Sequence, residues 1–404
     1  MKKKDKKWIK KRHRVVRNIL FAALWPYCRL RYGIQIEKFK EQGDRPYLIL
    51  LNHQTPFDQF FVGMSFRGPV YYMATEDIFS MGWISSVIRW LVAPIPIKKQ
   101  TTDLMAVKNC IRVSREGGTI AIAPEGNRTY SGRTEYMNPA IASLARKLGL
   151  PIALYRIEGG YGAQPRWSDV IRRGKMRSYV SEVIEPEEIA ALTNEQLMHR
   201  IEQGLYVDEA VADGTFHHKK RAEYLERAIY VCPFCGPAKW ESHGATAICL
   251  SCGRQVIYQP NKELTGVGYD FPFRFVGEWY DHQKTVVNAL DPADYIETPL
   301  FWDIAALWDV QTNKHKTCLR DAAQVELYGD RIAIDADGSD PLILPFAEIT
   351  AAAVLGRNKL NIYHGDRVYQ FRGDKRFNAL KYVNLYYRHK NVSKGEPYGE
   401  FLGL

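Results

Sequence analysis

Three features are absent from this chain of 404 residues, and each absence excludes a class of protein. No run of about 18 apolar residues occurs, so an ordinary membrane-spanning helix is not expected. No Gly-x-Ser-x-Gly segment occurs, which argues against an α/β-hydrolase with a serine nucleophile. The seven cysteines are odd in number and lack a disulfide-like spacing, so the sequence favours a reducing compartment.

Positive charge is concentrated at the N-terminus. The formal net charge is +11, and ten Lys and Arg residues lie within residues 1–17 against the single acid Asp5. We therefore expect residues 1–30 to form an uncleaved amphipathic helix on an anionic membrane surface. The apolar contacts expected there are Trp8, Ile9, Val15, Val16, Ile19, Leu20 and Trp25. The alternative is a solvated charged tail on a buried helix.

The length suits two or three domains, and the 25% share of charged residues is typical of globular protein. Three short apolar runs, at residues 47–51, 119–123 and 151–155, are typical of buried strands. A helix with a basic last turn and a glycine stop is predicted over residues 140–149. This alternation predicts an α/β domain over residues 31–215, with a largely parallel sheet covered by helices.

The first cluster of reactive side chains follows the first of these strands. His53 comes just past the strand, and Asp58 is expected in the first turn of a helix, with Thr55 as N-cap and Pro56 as first residue. A carboxylate at this spacing can orient an imidazole that acts as general base on a substrate hydroxyl. The alternative is structural: Thr55 and Asp58 form a capping box, and His53 is an incidental loop residue.

A second cluster, Pro124-Glu125-Gly126-Asn127-Arg128, follows the next strong strand and is expected at the same edge of the sheet. The Arg128 guanidinium offers paired donors that match phosphate oxygens, and backbone N–H groups around Gly126 can meet an anion. The residues therefore predict a phosphate site. The alternative is a surface turn with an ion pair between Glu125 and Arg128.

Together, Asn52-His53-x4-Asp58 and Pro124-Glu125-Gly126-x-Arg128 resemble the glycerolipid acyltransferase family, which includes the 1-acyl-glycerol-3-phosphate acyltransferases. The resemblance covers about half of the chain. It implies that His53 is the base and Asp58 its orienting partner. It also implies a phosphate-binding set, in which a lysine stands where the family usually has an arginine: Lys98, Lys99, Glu125, Gly126, Asn127 and Arg128.

The resemblance implies transfer of a fatty acyl group from acyl-coenzyme A or acyl carrier protein to the free hydroxyl of a lysophospholipid. The simplest acceptor is 1-acyl-glycerol-3-phosphate, which gives phosphatidic acid. The expected partners are the lysophospholipid, anionic lipids of the membrane surface and acyl carrier protein, and no nucleic acid is expected. The expected location is the cytoplasmic face of a membrane, as a peripheral or monotopic protein.

Four cysteines form two Cys-x-x-Cys pairs, Cys232 with Cys235 and Cys249 with Cys252. A glycine follows each pair, and the spacing predicts a structural zinc held by a ribbon over residues 228–260. A closed four-cysteine site leaves no open position, so catalytic zinc is not indicated. The alternative is a set of redox-active or unmetallated thiols.

The C-terminal region has a different pattern. Residues 261–318 remain an unassigned connector. Beyond them, Gly329-Asp330 and Gly365-Asp366 separate short apolar runs and predict two β-hairpins. With a helical pattern after them, they predict an antiparallel β domain over residues 319–395, closed by a helix and similar to pleckstrin-homology-like modules. The rival interpretation of the whole chain is a non-enzymatic scaffold that binds lipid or nucleic acid.

Overall fold

The computed structural model describes residues 7–79, 82–97, 103–310, 316–396, 399 and 401. The chain divides into two compact units. The first comprises Met1–Pro165 and Ile171–Phe216, and the second comprises Arg166–Val170 and His217–Leu404.

One sheet organises the described part of the first unit. Its strands are β1 (Ile34–Ile36), β2 (Leu48–Leu51), β3 (Val70–Thr75), β4 (Ile95–Ile97), β5 (Thr119–Ile122), β6 (Ile152–Glu158) and β7 (Met176–Ile184). The spatial order is β1-β7-β6-β2-β5-β3-β4. Neighbours run parallel except at β6 and β7, which are antiparallel. The largely parallel sheet predicted from the sequence is therefore confirmed.

Helices flank this sheet. They are α1 (Lys11–Tyr32), α2 (Asp58–Ser65), α3 (Glu76–Phe79), α4 (Trp83–Val92), α5 (Leu104–Arg115), α6 (Ala140–Leu148), α7 (Gly160–Ala163), α8 (Pro186–Ala191) and α9 (Asn194–Leu205). The helix predicted over residues 140–149 is α6, and it ends at Gly149 with φ of 62°, a left-handed cap that glycine adopts without steric cost. The central strands β2, β5 and β6 are buried on both faces, as continuous apolar runs require.

Helix α1 and the residues before it are docked on the first unit. The Glu116 carboxylate accepts the backbone N–H groups of Trp8 and Ile9 at 3.0 and 2.9 Å, and the Trp8 indole donates to the carbonyl of Ala93 at 3.0 Å. Both side chains pack against the domain core. The expectation that Trp8 and Ile9 face a membrane is therefore wrong, because the segment before α1 is hydrogen-bonded to Glu116 and packs these side chains against the core.

The described part of the second unit is mostly antiparallel β structure. Its strands are β8 (Val231–Cys232), β9 (Gly236–Pro237), β10 (Trp240–His243), β11 (Thr246–Cys249), β12 (Gln255–Tyr258), β13 (Leu264–Gly266), β14 (Phe301–Asp309), β15 (Thr317–Leu327), β16 (Arg331–Ile334), β17 (Leu342–Pro345), β18 (Ile349–Leu355), β19 (Lys359–His364) and β20 (Arg367–Gly373). Its helices are α10 (Val276–Ala289) and α11 (Leu380–Ser393). Strands β10 to β13 form one small sheet, and β17-β16-β15-β14-β20-β19-β18 form a larger one.

The two predicted hairpins are confirmed as β15–β16 and β19–β20, and α11 supplies the predicted C-terminal helix. The larger sheet nevertheless begins at Phe301, inside the stretch left unassigned, so the boundary predicted at residue 319 falls within β15. Strand β14 was not predicted from the sequence because apolar side chains occupy both of its faces. Phe301 and Leu307 are buried, whereas Trp302 and Ile304 are exposed, and no clean alternation results.

Candidate active site

Two loops meet at one edge of the first sheet. Strands β2 and β5 are parallel neighbours, with Leu50 opposite Ile122, and both end there. The loop after β2 carries His53 and the loop after β5 carries Glu125. The Oε1 atom of Glu125 accepts the backbone N–H of His53 at 3.0 Å, so the two loops are in direct contact.

His53 and Asp58 form a hydrogen-bonded pair. The Nδ1 atom of His53 lies 2.8 Å from Oδ2 of Asp58. The Asp58 side chain is 1% exposed and the His53 side chain 27%, so the carboxylate lies beneath an imidazole that solvent or substrate can reach. Because Asp58 accepts at Nδ1, the Nε2 atom is left as the acceptor that a general base needs.

The carboxylate of Asp58 also holds the loop itself. It accepts the backbone N–H groups of Gln54 at 2.6 Å and Thr55 at 2.9 Å, and the Thr55 hydroxyl at 2.7 Å. Backbone N–H groups can only donate, so Asp58 acts as an acceptor throughout. The Asp58 carboxylate therefore both stabilises the loop and orients the His53 imidazole.

The predicted cap is corrected in one detail. Helix α2 begins at Asp58 itself, and Phe57 occupies the N-cap position without a side-chain cap. Thr55 is therefore not the N-cap, and Pro56 is not the first helical residue. The Thr55 hydroxyl instead accepts the N–H of Phe57 at 3.1 Å while it donates to Asp58. This local network takes the place of the predicted cap and holds the turn at residues 55–57 from which the helix starts.

The second block forms a tight turn. The Gly126 N–H donates to the carbonyl of Ala123 at 3.0 Å, and Gly126 has φ of 71° in an exposed position. This hydrogen bond occupies the Gly126 N–H, so that group does not face an anion. Glu125 is drawn inward, and its second oxygen, Oε2, accepts the backbone N–H of Glu135 at 3.0 Å.

Arg128 and Asp58 both act electrostatically on Tyr32. Burial raises the pKa of Tyr32, the nearby Asp58 carboxylate raises it further, and the Arg128 guanidinium opposes this shift. The hydroxyl of Tyr32 donates to Oε1 of Gln164 at 2.6 Å. Arg128 and its neighbour Asn127 are both half-buried. The Arg128 guanidinium and the Asp58 carboxylate therefore lie within electrostatic reach of Tyr32, and a phosphate site shared by Arg128 and His53 stays a prediction. Lys98 and Lys99 lie outside the described residues.

Two contacts at this edge were not predicted from the sequence. Asn52 is fully buried, and its amide donates to the carbonyl of Ile157 and accepts the Ile157 N–H, both at 2.8 Å. It thereby ties the end of β2 to β6. Phe57 stacks on Tyr27 and Tyr32 of α1, at ring-centre distances of 5.6 and 5.3 Å. An asparagine directly after a buried strand is the one clue that the sequence offered.

The four paired cysteines converge in the second unit. Their sulfur atoms all lie within 4.8 Å of one another. Sγ of Cys232 is 3.8 Å from Sγ of Cys252, and Sγ of Cys235 is 3.6 Å from Sγ of Cys249. Tetrahedral zinc with Zn–S bonds of about 2.3 Å separates its sulfur ligands by about 3.8 Å. The cluster therefore has the spacing that zinc requires.

Comparison with known proteins places the two motifs in a family. The acyltransferase family model matches residues 33–156, a range that holds both motifs. A 1-acyl-sn-glycerol-3-phosphate acyltransferase of Bacillus subtilis (strain 168) is 21% identical over 185 residues, covering 45% of this chain and 89% of the relative. The chloroplastic enzyme LPAT1 of Arabidopsis thaliana, with the same activity in its name, is 24% identical over 185 residues, covering 43% of this chain. The chain spans 50% of the length of that plant relative.

Solved structures give weaker similarities. The crystal structure of a 1-acyl-sn-glycerophosphate acyltransferase from Thermotoga maritima aligns at 19% identity and a TM-score of 0.39, covering 47% of this chain and 78% of that one. The N-terminal PH domain of the human ARAP2 protein aligns at 16% identity and a TM-score of 0.19, covering 23% of this chain and 81% of that one.

Both motifs, their meeting at one edge of a mostly parallel sheet and the matched relatives lead to the same assignment. The acyltransferase family model over residues 33–156 and the curated 1-acyl-sn-glycerol-3-phosphate acyltransferases that this chain matches support the glycerolipid acyltransferase family for this part of the chain.

Proposed function

We propose that this protein is an O-acyltransferase that transfers a fatty acyl group from an acyl thioester to the free hydroxyl of a lysophospholipid, most simply 1-acyl-glycerol-3-phosphate. The observation that supports this most strongly is the 2.8 Å contact between Nδ1 of His53 and the buried Asp58 carboxylate, beside the loop that carries Arg128. The acyl donor is acyl-coenzyme A or acyl carrier protein.

The proposed reaction needs no covalent enzyme intermediate. His53 Nε2 takes the proton of the acceptor hydroxyl while the hydroxyl oxygen attacks the thioester carbonyl carbon. Asp58 stabilises the imidazolium that forms. When the tetrahedral intermediate collapses, the C–S bond breaks and the imidazolium returns the proton to the departing thiolate. An ester and a free thiol are the products, and His53 is regenerated as a neutral base.

The acceptor phosphate is assigned to the Arg128 side of the site. A guanidinium pairs with phosphate oxygens through parallel N–H donors, and Arg128 stands directly after the turn at Gly126 and Asn127. Lys98 and Lys99 remain proposed phosphate partners on the sequence resemblance alone. Backbone N–H groups other than that of Gly126 must stabilise the oxyanion, since Gly126 already donates to Ala123.

The central test compares two histidines. His53→Ala is expected to lower the turnover number for 1-acyl-glycerol-3-phosphate by about 10²–10⁴-fold, because a general base contributes about that factor. His199→Ala, on an exposed position of α9, is the matched control and should retain wild-type turnover. Phosphatidic acid is quantified by mass spectrometry with acyl-coenzyme A and acyl carrier protein as donors. Equal turnover in the two variants excludes the proposed mechanism.

Membrane attachment through α1 and α4 is part of the proposal. Val15, Ile19 and Leu30 on α1 are 58%, 67% and 77% exposed, and Trp83 and Trp90 on α4 are 76% and 57% exposed. The two helices are joined where Arg12 donates to the carbonyl of Trp90 at 2.9 Å. Exposed basic residues flank these side chains: Lys11, Arg14, Arg29 and Arg31. Apolar side chains rimmed by basic ones are typical of a helix that lies in a membrane surface.

Among the described residues, no helix is long and apolar enough to cross a membrane.

Replacing two of these apolar side chains is expected to weaken lipid binding. Burying one large apolar side chain contributes about 1.5–3 kcal/mol, so the double variant Ile19→Ser, Trp83→Ser should bind vesicles at least about tenfold more weakly. Co-sedimentation with vesicles of phosphatidylglycerol and phosphatidylcholine measures this. Val211→Ser removes a side chain that is 46% exposed elsewhere on the first unit and should bind like wild type. Unchanged binding of the double variant contradicts the proposed surface.

A structural zinc ion held by Cys232, Cys235, Cys249 and Cys252 is also proposed. The spacing of their sulfur atoms supports it, and Gly236 and Gly253 have φ of 81° and 74°, which lets the chain turn tightly after each pair. Zinc there would join the turn after β8 to the small sheet of β10 to β13 and stabilise both. The larger sheet of the second unit, closed by α11, is proposed as a pleckstrin-homology-like domain from its strand order.

Metal analysis tests the zinc proposal. Cys249→Ser is expected to lower the zinc content from about one ion per chain to near zero and to increase hydrogen exchange in β10 to β12, because a neutral hydroxyl replaces a thiolate ligand. Cys318→Ser, a cysteine outside the cluster, is the control. Mass spectrometry of purified protein gives the zinc content. Wild-type protein without zinc, or a Cys249→Ser variant that keeps it, rules out the four-cysteine site.

A further inference from the structure

Three successive backbone N–H groups in the loop after β2 all donate to carboxylates of this chain. The His53 N–H donates to Glu125 at 3.0 Å, the Gln54 N–H to Asp58 at 2.6 Å and the Thr55 N–H to Asp58 at 2.9 Å. Successive N–H groups of this kind often form an anion-binding concavity. Here two side chains fill that role, so the loop does not offer these donors to a substrate phosphate.

Glu125 has both of its oxygens engaged. Oε1 accepts the N–H of His53 and Oε2 accepts the N–H of Glu135, each at 3.0 Å. Glu135 is itself held, because its Oε1 accepts the hydroxyls of Thr129 at 3.1 Å and Ser131 at 2.7 Å. Glu125 therefore connects the loop that carries the base to a segment that is fixed by its own buried polar contacts.

Electrostatics separates the roles of Glu125 and Arg128. Both oxygens of Glu125 already accept backbone N–H groups, so this side chain is satisfied without a phosphate and offers one no positive charge. Arg128, three residues later, carries the charge that a phosphate needs. The sequence resemblance places both residues in one phosphate-binding set, whereas their contacts favour different tasks.

We propose that Glu125 is a positioning residue that holds the backbone of His53 in place and does not bind the substrate phosphate. Asp58 fixes the imidazole at Nδ1, and Glu125 fixes the same residue at its backbone N–H. The base is thus held at two points by two carboxylates. This inference rests on the proposed acyl transfer and assigns a different function to one residue of its site.

The kinetic test separates positioning from phosphate binding. Glu125→Gln keeps one acceptor oxygen but turns an NH2 group toward a backbone N–H, so His53 should shift. Because small displacements of a catalytic group cost up to about 10²-fold in rate, the turnover number should fall by about 10–100-fold. The KM for 1-acyl-glycerol-3-phosphate should stay within about threefold of wild type, since a residue that does not bind the acceptor leaves its ground-state affinity unchanged. Arg128→Gln should instead raise that KM by about tenfold or more.

The kinetic constants of the Glu125 variants decide whether Glu125 positions His53. A Glu125→Gln variant that raises KM and keeps its turnover number overturns it, as does one that equals wild type in both constants. Glu182→Gln, which changes a carboxylate on β7, is the control and should behave as wild type. Should Glu125→Gln fail to fold, Glu125→Asp, whose shorter side chain cannot reach both donors, must show the same fall in turnover at constant KM. Absence of acylation by the wild-type protein refutes the proposed function itself, which is a separate outcome.

A second measurement uses stability and pH. Burial raises the pKa of Glu125 to about 8; the Glu135 and Asp58 carboxylates raise it further, and the N–H donors of Glu135 and His53 oppose the shift. The unfolded value is about 4.3. The folded protein therefore holds an extra proton between these values, and its stability falls as pH rises from about 5 to 8. In wild type and in Glu182→Gln, titration of Glu125 should increase the unfolding equilibrium constant by up to about tenfold for each pH unit. Glu125→Gln lacks this titrating group and should lack this contribution to the pH dependence. Urea unfolding at several pH values measures this, and equal slopes in all three proteins count against a buried, titrating Glu125.

Discussion

The site depends on one buried carboxylate. Asp58 is 1% exposed and accepts hydrogen bonds from the His53 imidazole, from two backbone N–H groups and from a hydroxyl. An isolated carboxylate removed from water is strongly destabilising, and each of these donors offsets part of that cost. The hydrogen bonds that stabilise the buried charge also fix the imidazole. The geometry of the base and the stability of the loop therefore depend on the same contacts.

The helix that carries Asp58 is in turn held by α1. Phe57, directly before Asp58, stacks on two tyrosines near the end of α1. Near the other end of α2, Arg17 of α1 donates to the carbonyl of Gly63 at 3.0 Å. Gly63 has no side chain because one would collide with Phe21 of α1. The helix proposed to rest on the membrane surface is therefore packed along the helix that begins with the orienting carboxylate.

The second unit follows a different principle of stabilisation. Its two cysteine pairs, at the ends of β8 and β11, bring four thiols together, whereas the larger sheet is covered by an extensively buried α11. Between α11 and that larger sheet, Lys381 of α11 is 4% exposed and forms a 2.6 Å ion pair with Asp303 of β14, which also accepts the Tyr382 hydroxyl at 2.7 Å. Burial lowers the pKa of Lys381, and Asp303 opposes that shift. A buried ion pair of this kind is retained only where both charges are hydrogen-bonded.

Several features could be predicted from local sequence pattern alone. Continuous apolar runs predicted β2, β5 and β6, and the motifs that follow β2 and β5 predicted that the two loops meet at one sheet edge. The spacing of the two cysteine pairs likewise predicted that their four thiols converge. Which atoms meet could be seen only in the folded chain. The sequence resemblance placed Glu125 in a phosphate-binding set, yet its carboxylate accepts a backbone N–H that lies 72 positions away in the chain. Trp8 and Ile9 read as lipid-facing, yet Glu116 turns them inward. Local pattern records periodicity, whereas these contacts depend on the three-dimensional path of segments that are distant in sequence.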